Sequence, residues 1–147
     1  MNALEILKQD HQKVKQLFEE VTHASDSNKR KDLFDKIDTE LEMHAHIEET
    51  VFYPALEQRE ELQDMVAEAL EEHQEVKTLL EEIEELGSES HDFGGKLQEL
   101  MECVEHHVAE EEGEMFPQVR EVFDERELNE LARRLNSAKG VQHREAV

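Results

Sequence analysis

Two stretches decide the fold: LEMHAHIEETVFYPAL (Leu41–Leu56) and, 63 residues further on, VEHHVAEEEGEMFPQV (Val104–Val119). In register, His44 falls on His107, Glu48 on Glu111 and Pro54 on Pro117. A second pair of segments flanks the first. KQDHQKVKQLFEEV (Lys8–Val21) is matched 62 residues later by LEEHQEVKTLLEEI (Leu70–Ile83), with His11 on His73 and Lys15 on Lys77. The chain is therefore one pattern written twice, a His on a first segment and His-x-x-x-Glu on a second. Paired head to tail around a pseudo-twofold axis, the two copies would bring all these polar side chains together.

The segments are helical by their spacing. Leu7, His11, Val14, Phe18 and Val21 step by four and three, which traces one seam of a helix. Phe34, Ile37, Leu41, His44, Glu48, Val51 and Ala55 form a second seam, with Pro54 kinking or ending it. The third runs through Leu62, Val66, Ala69, His73, Val76, Leu80 and Ile83 and stops at Gly87. The fourth carries Phe93, Leu97, Leu100, Val104, His107, Glu111 and Glu114, with Pro117 near its end. Asn2 with Glu5 reads as a capped start for the first helix. Asp124 with Glu127 opens a fifth, shorter helix bearing Leu128, Leu131 and Leu135. Residues 24–28 and 87–95 read as turns, and 140–147 as a frayed tail. The expected fold is all-α: an up-down antiparallel four-helix bundle over residues 1–123, followed by an additional short C-terminal helix and tail over 124–147. Helices of roughly 25 residues, at about 1.5 Å each, give a bundle near 37 Å long, enough to hold a polar layer between two apolar ones.

Composition excludes several alternatives. With 16 Lys and Arg against 39 Asp and Glu in 147 residues, the net charge is −23. Such a surface repels phosphate backbones and anionic headgroups, so neither nucleic acid nor membrane is expected as a partner. Roughly a quarter of the chain is Leu, Ile, Val or Phe, above the compositional range of disordered chains, and these residues are periodic. A single Cys rules out an internal disulfide or a thiolate metal cluster. The N-terminus lacks the basic-then-apolar order of a signal peptide, and no run of about 18 apolar residues occurs, so a cytoplasmic protein is expected.

His11, His44, Glu48, His73, His107 and Glu111 occupy seams otherwise filled by Leu, Val, Ile, Phe and Ala. A lone buried carboxylate costs several kcal/mol unless it is paired or metal-bound. No Arg or Lys is clearly placed on these seams to neutralise both Glu residues, and a metal would supply the missing positive charge. In His-x-x-x-Glu the two side chains stand one turn apart and point at the same volume. Four imidazoles and two carboxylates give each of two metals a pair of His, with the Glu residues free to bridge. Nitrogen and oxygen donors without thiolate suit iron or manganese, with zinc and copper left open on affinity grounds.

This arrangement, with Phe-Tyr-Pro and Met-Phe-Pro after the two acidic motifs, resembles the hemerythrin-like HHE cation-binding family over roughly residues 1–123. The resemblance implies a bundle holding two iron ions, oxo- or hydroxo-bridged, that handles O2, NO or peroxide. It places His11 and His44 on one iron, His73 and His107 on the other, and Glu48 and Glu111 between them. Oxygen-carrying members have a fifth His one turn after the third-helix ligand, and Lys77 stands there in this chain. They also place an Asp five residues after the fourth-helix His. Here that residue is Glu112, with Glu111 at the four-residue spacing. Turned inward, Lys77 would stabilise a bound anion or pair with a bridging Glu; on the helix flank it would be solvated. The loss of the fifth His shifts weight from reversible O2 or NO carriage toward a catalase-like peroxide-decomposing activity. An iron- or oxygen-sensing module is the third reading. Beside the six, His46, His106, Glu49 and Glu112 are assigned to the surface or to supporting contacts. Glu114 is an extra-ligand candidate, and Tyr53 either bonds to the site or packs beneath Pro54.

Overall fold

The computed structural model describes the backbone over residues 1–146 and the side chains through Gly140. Its elements are α1 (Ala3–His23), α2 (Ser27–Ile47), a π-helical turn (Glu48–Phe52) leading into α3 (Tyr53–Glu57), a 3-10 turn (Glu60–Leu62), α4 (Gln63–Leu86), α5 (Phe93–Glu110), a second π-helical turn (Glu111–Met115) leading into α6 (Phe116–Val122), and α7 (Glu125–Ala146). No strand occurs among the described residues. α2 with α3, and α5 with α6, act as single rods, so the molecule is a four-helix bundle with one further helix against it. α1 packs on α2 and α4 on α5, while α7 lies along α1, α2 and the first π-helical turn.

Local chemistry sets the ends. Asn2 and Glu5 form a reciprocal capping box on α1, with Glu5 N–H donating to Asn2 Oδ1 at 3.0 Å and Asn2 N–H to Glu5 Oε1 at 2.9 Å. Asp124 and Glu127 do the same for α7 at 2.8 and 3.1 Å. Gly87 ends α4 at φ +81°, in the left-handed region where a side chain is strained. The turn expected to reach residue 95 is shorter, because α5 begins at Phe93 and takes both Gly94 and Gly95 into its first turn. α7 runs to Ala146, a longer helix than the sequence pattern suggests, and most of the expected tail lies outside the described side chains.

Proline explains the π-helical turns. Pro54 and Pro117 have no N–H to return to the carbonyls four residues back, at Thr50 and Gly113. The helix instead widens by one residue, and Tyr53 N–H bonds to the Glu48 carbonyl, as Phe116 N–H bonds to that of Glu111. Neither proline ends its helix. The widening returns the fifth residue after each Glu toward the face that the Glu occupies.

Two apolar layers flank the middle of the bundle. One joins Leu4, Leu7, Phe52, Leu56, Phe116 and Val119 to Leu128, Leu131 and Leu135 of α7. The other packs Phe18, Phe34, Ile37, Ile83, Phe93 and Leu100 at the opposite end. Arg59 fastens the α3–α4 connection to α7 by lying 4.4 Å over the Phe123 ring, donating to the Val122 carbonyl at 2.8 Å and pairing with Glu127. Leu135 is fully buried against this first layer. Leu135→Ala should therefore destabilise the protein by about 2–4 kcal/mol, read from urea unfolding followed by circular dichroism.

Candidate metal centre

All six seam residues meet in the layer between the two cores. Glu48 and Glu111 are 0% and 1% exposed, which for a carboxylate demands a partner of opposite charge. His11 and His44 lie with ring centroids 4.9 Å apart, and so do His73 and His107. Each Nε2 faces the two carboxylates. His44 Nε2 is 3.3 Å and His73 Nε2 3.0 Å from Glu48 Oε1, while His11 Nε2 is 3.1 Å from Glu111 Oε1 and His107 Nε2 3.2 Å from Glu111 Oε2. His73 and His107 bring their Nε2 atoms within 3.2 Å of each other.

The polar atoms left over decide whether a metal fits. His11 Nε2, His44 Nε2, Glu48 Oε2 and Glu111 Oε1 are buried without a hydrogen-bond partner. Close contacts between lone-pair-bearing atoms that do not make hydrogen bonds are what a cation between them would satisfy. Two donor groups result, His11/His44/Glu48/Glu111 and Glu48/His73/His107, each with its candidate ligand atoms within 4.8 Å of one another. Glu48 belongs to both.

The outer nitrogens are gripped just as regularly. Asp10 on α1 holds His44 Nδ1 at 2.9 Å, and Glu49 in the first π-helical turn holds His73 Nδ1 at 2.9 Å. Glu72 on α4 holds His107 Nδ1 at 2.7 Å, and Glu112 in the second π-helical turn holds His11 Nδ1 at 2.6 Å. Each acid is the sequence neighbour of one inward residue and reaches the ring on the next helix, so the four contacts close a circle around the bundle. A carboxylate on Nδ1 fixes that nitrogen as the N–H and leaves Nε2 free to ligate. Glu49 and Glu112 thus have supporting roles, as the sequence allowed. Asp10 and Glu72 were not singled out there. The available signal was their equivalence in the repeat, one residue before His11 and His73, but adjacent helical residues point about 100° apart and only the neighbouring helix gives that direction a meaning. Glu112→Gln should lower metal affinity by roughly 10- to 100-fold while leaving the fold intact, measurable by competition with a chromophoric chelator.

Tyr53 enters the centre because of the π-helical turn. Its hydroxyl donates to Glu111 Oε2 at 2.7 Å, lies 3.2 Å from both Glu48 Oε1 and His73 Nε2, and lies 3.5 Å from His107 Nε2. Its repeat partner is Phe116, whose ring stacks on His11 at 6.3 Å. The two halves of the centre therefore differ by one phenolic oxygen. Lys77 is exposed and takes no part; Val76 lines the interior in its place. Glu114 is exposed as well and stands outside both donor groups. His106 is exposed and pairs with Glu110 at 2.9 Å, with Glu72 3.6 Å away.

Protonation follows from this crowding. Burial alone would lower His44, His73 and His107, yet the facing carboxylates outweigh it: His44 is held well above its ordinary value, His73 is raised, and His107 is pushed up to about 9. Burial would raise Glu48, but the facing charges of His44 and His73, whose Nε2 atoms lie 3.3 and 3.0 Å from it, hold it well below the carboxylate range. Burial, then the Glu48 and Glu111 charges, push the Tyr53 phenol far up, so it stays neutral. Without metal, protons on His44, His73 and His107 supply positive charge that the carboxylates require.

A helical bundle with a buried, mixed His and carboxylate centre is a cation-binding architecture. The hemerythrin HHE cation-binding domain matches residues 2–119, and the chain belongs to that family. A crystal structure of a hemerythrin HHE cation-binding domain-containing protein from Mycobacterium kansasii superposes with a TM-score of 0.82, at 31% identity, over 96% of this chain and 89% of that one. A protein of Nostoc sp. named DNA nickase is 30% identical over 145 residues, 98% of this chain and 41% of that protein. An uncharacterized hemerythrin-like protein of Schizosaccharomyces pombe is 30% identical over 84% of this chain and 62% of its own length. The chain thus spans less than two thirds of either curated relative.

Proposed function

We propose that this protein holds two iron ions, oxo- or hydroxo-bridged, through His11, His44, His73, His107, Glu48 and Glu111, and uses them to bind or react with O2, NO or peroxide. Such a pair of ions supplies one-electron redox chemistry and coordination positions for a small ligand. Manganese or zinc would satisfy the same donors, and the family's own description, a cation-binding domain, does not choose among them.

The observation that carries the ligand class is a cavity of about 50 Å³ directly over the imidazoles. Val14, Leu41, Val76, Val104 and Val108 form its walls, with His11, His44, His73 and His107 at its base. At roughly 15 Å³ per water-sized molecule it admits a diatomic or a peroxide and excludes an organic substrate. Its apolar walls favour uncharged ligands and keep bulk water from the redox site. The groove between α1 and α5 shares Val14, Val104 and Val108 with this cavity and offers a way in from the surface.

Tyr53 gives peroxide decomposition its place as the second reading. Its hydroxyl donates to Glu111 Oε2 and lies within hydrogen-bond reach of Glu48 Oε1 and His73 Nε2, so a neutral phenol stands where it could orient an oxygen-bearing ligand by a hydrogen bond. With a net charge of −23, the chain gives no support for carrying over the nucleic-acid activity in the Nostoc relative's name. One experiment tests both readings: metal analysis of protein purified without added metal, then addition of O2 and of H2O2 to the reduced, iron-loaded protein. A spectrum that forms with O2 and reverses under argon supports carriage, and O2 evolved over many turnovers from H2O2 supports the enzyme. Protein that takes up no iron overturns both.

A further inference from the structure

The family match ends at residue 119, and α7 lies beyond it. Among the described side chains of α7, that of Lys139 nevertheless connects to the centre. Lys139 Nζ sits 2.5 Å from Asp10 Oδ1, while Asp10 Oδ2 accepts from His44 Nδ1 at 2.9 Å. Asp10 is 8% exposed, so both of its oxygens are committed inside the protein. Lys139, Asp10 and His44 form one line from the C-terminal helix to an inward-facing imidazole.

The internal repeat provides the comparison. Glu72 stands at the Asp10 position of the second half and holds His107 Nδ1 at 2.7 Å. Among the described residues its other oxygen meets no lysine or arginine: the exposed His106 is 3.6 Å away, already paired with Glu110. The halves match up to the supporting carboxylate and diverge in what neutralises it.

We propose that Lys139 is a positioning residue for the metal position built from His11 and His44, and that α7 thereby makes the two metal positions unequal. The proposal rests on the reading of this layer as a metal centre. A buried carboxylate is tolerated when a full charge faces it, and an ammonium on Oδ1 fixes the rotamer that aims Oδ2 at His44 Nδ1. With Nδ1 engaged, His44 Nε2 points at the centre. With His44 neutral as a metal ligand, removing the ammonium leaves Asp10 one neutral donor in a strongly acidic protein; turning out to water becomes its better option, and His44 loses its brace. Leu131, Ala132 and Leu135 hold α7 on the bundle independently of this contact, so replacing Lys139 does not release the helix.

The test uses Lys139→Met, Lys139→Arg and Arg133→Ala proteins, the last altering an exposed α7 residue whose partner among the described residues is Glu130, on its own helix. Co2+ binding to the metal-free proteins is measured by chelator competition, together with the ligand-field spectrum of the bound ion. Lys139→Met should weaken one of two binding steps by tenfold or more, shift that ion's bands and leave the other step within about twofold. Lys139→Arg restores both readouts, Arg133→Ala changes neither, and in a His44→Ala protein Lys139→Met has no further effect. Two unaltered steps in Lys139→Met, equal weakening of both, or failure of Arg to restore, in proteins whose circular dichroism matches the parent, would overturn the proposal. Absence of Co2+ binding by the parent protein is a separate outcome, which overturns the metal-centre reading itself.

Discussion

Glu48→Ala should leave the protein unable to retain metal at either position. Glu48 is fully buried, lies 3.3 Å from His44 Nε2 and 3.0 Å from His73 Nε2, and is the residue common to both donor groups. Its removal withdraws a negative charge from each half at once, and an interaction of this buried kind is worth about 3–5 kcal/mol when one partner is lost. That corresponds to a loss of affinity on the order of a hundredfold or more. The readout is metal content after passage over a mild chelator, expected to fall toward none from the two ions per chain that the proposed centre holds. Glu114→Ala, altering an exposed acid one turn from Glu111, should keep both ions. If Glu48→Ala retained two ions, Glu48 would not bridge.

Metal removal should invert the pH dependence of stability. In the metal-free protein, His107 titrates at about 9 folded against about 6.5 unfolded, and His44 and His73 are shifted in the same direction. A raised folded value means that the stabilisation is complete below about pH 6.5 and is lost as pH rises through 9. Glu48 and Asp10 are shifted down: burial opposes this, and the facing cations win. Their contribution is present above the unfolded carboxylate range and is lost on acidification. The metal-free protein should therefore be most stable between about pH 4.5 and 6.5, and its Tm should fall from pH 6.5 to 9. Metal binding requires deprotonated imidazoles, so uptake releases protons, affinity rises with pH, and the loaded protein loses its advantage toward acid instead. At a free-metal concentration a thousandfold above Kd, one site adds about 4 kcal/mol, roughly 10 °C in Tm for a chain of this size. Calorimetry at pH 6.5 and 9, with and without metal, checks the crossing; parallel curves would refute it.

Much of this molecule was legible in one dimension. The four-and-three spacing of Leu, Val, Ile and Phe dictates amphipathic helices, because only a helix gathers those positions onto one face. The duplicated His and His-x-x-x-Glu pattern placed six polar groups on buried seams, where electrostatics requires compensation. Capping pairs such as Asn2 with Glu5 and Asp124 with Glu127 were readable for the same reason: their hydrogen bonds are local.

What the tertiary structure alone decided is everything that depends on which helix stands beside which. Asp10, Glu49, Glu72 and Glu112 lie off the seams, and each acquires its role from a ring on a neighbouring helix. Tyr53 faces the centre because the helix before Pro54 widens into a π-helical turn. Lys77, at the position of a suggestive vacancy in the motif, points to solvent, while Lys139 reaches Asp10 across 129 residues of chain. Periodicity along a chain fixes what must be buried; the direction in which an off-seam side chain finds its partner is set by the packing of rods, and no spacing within a single rod encodes it.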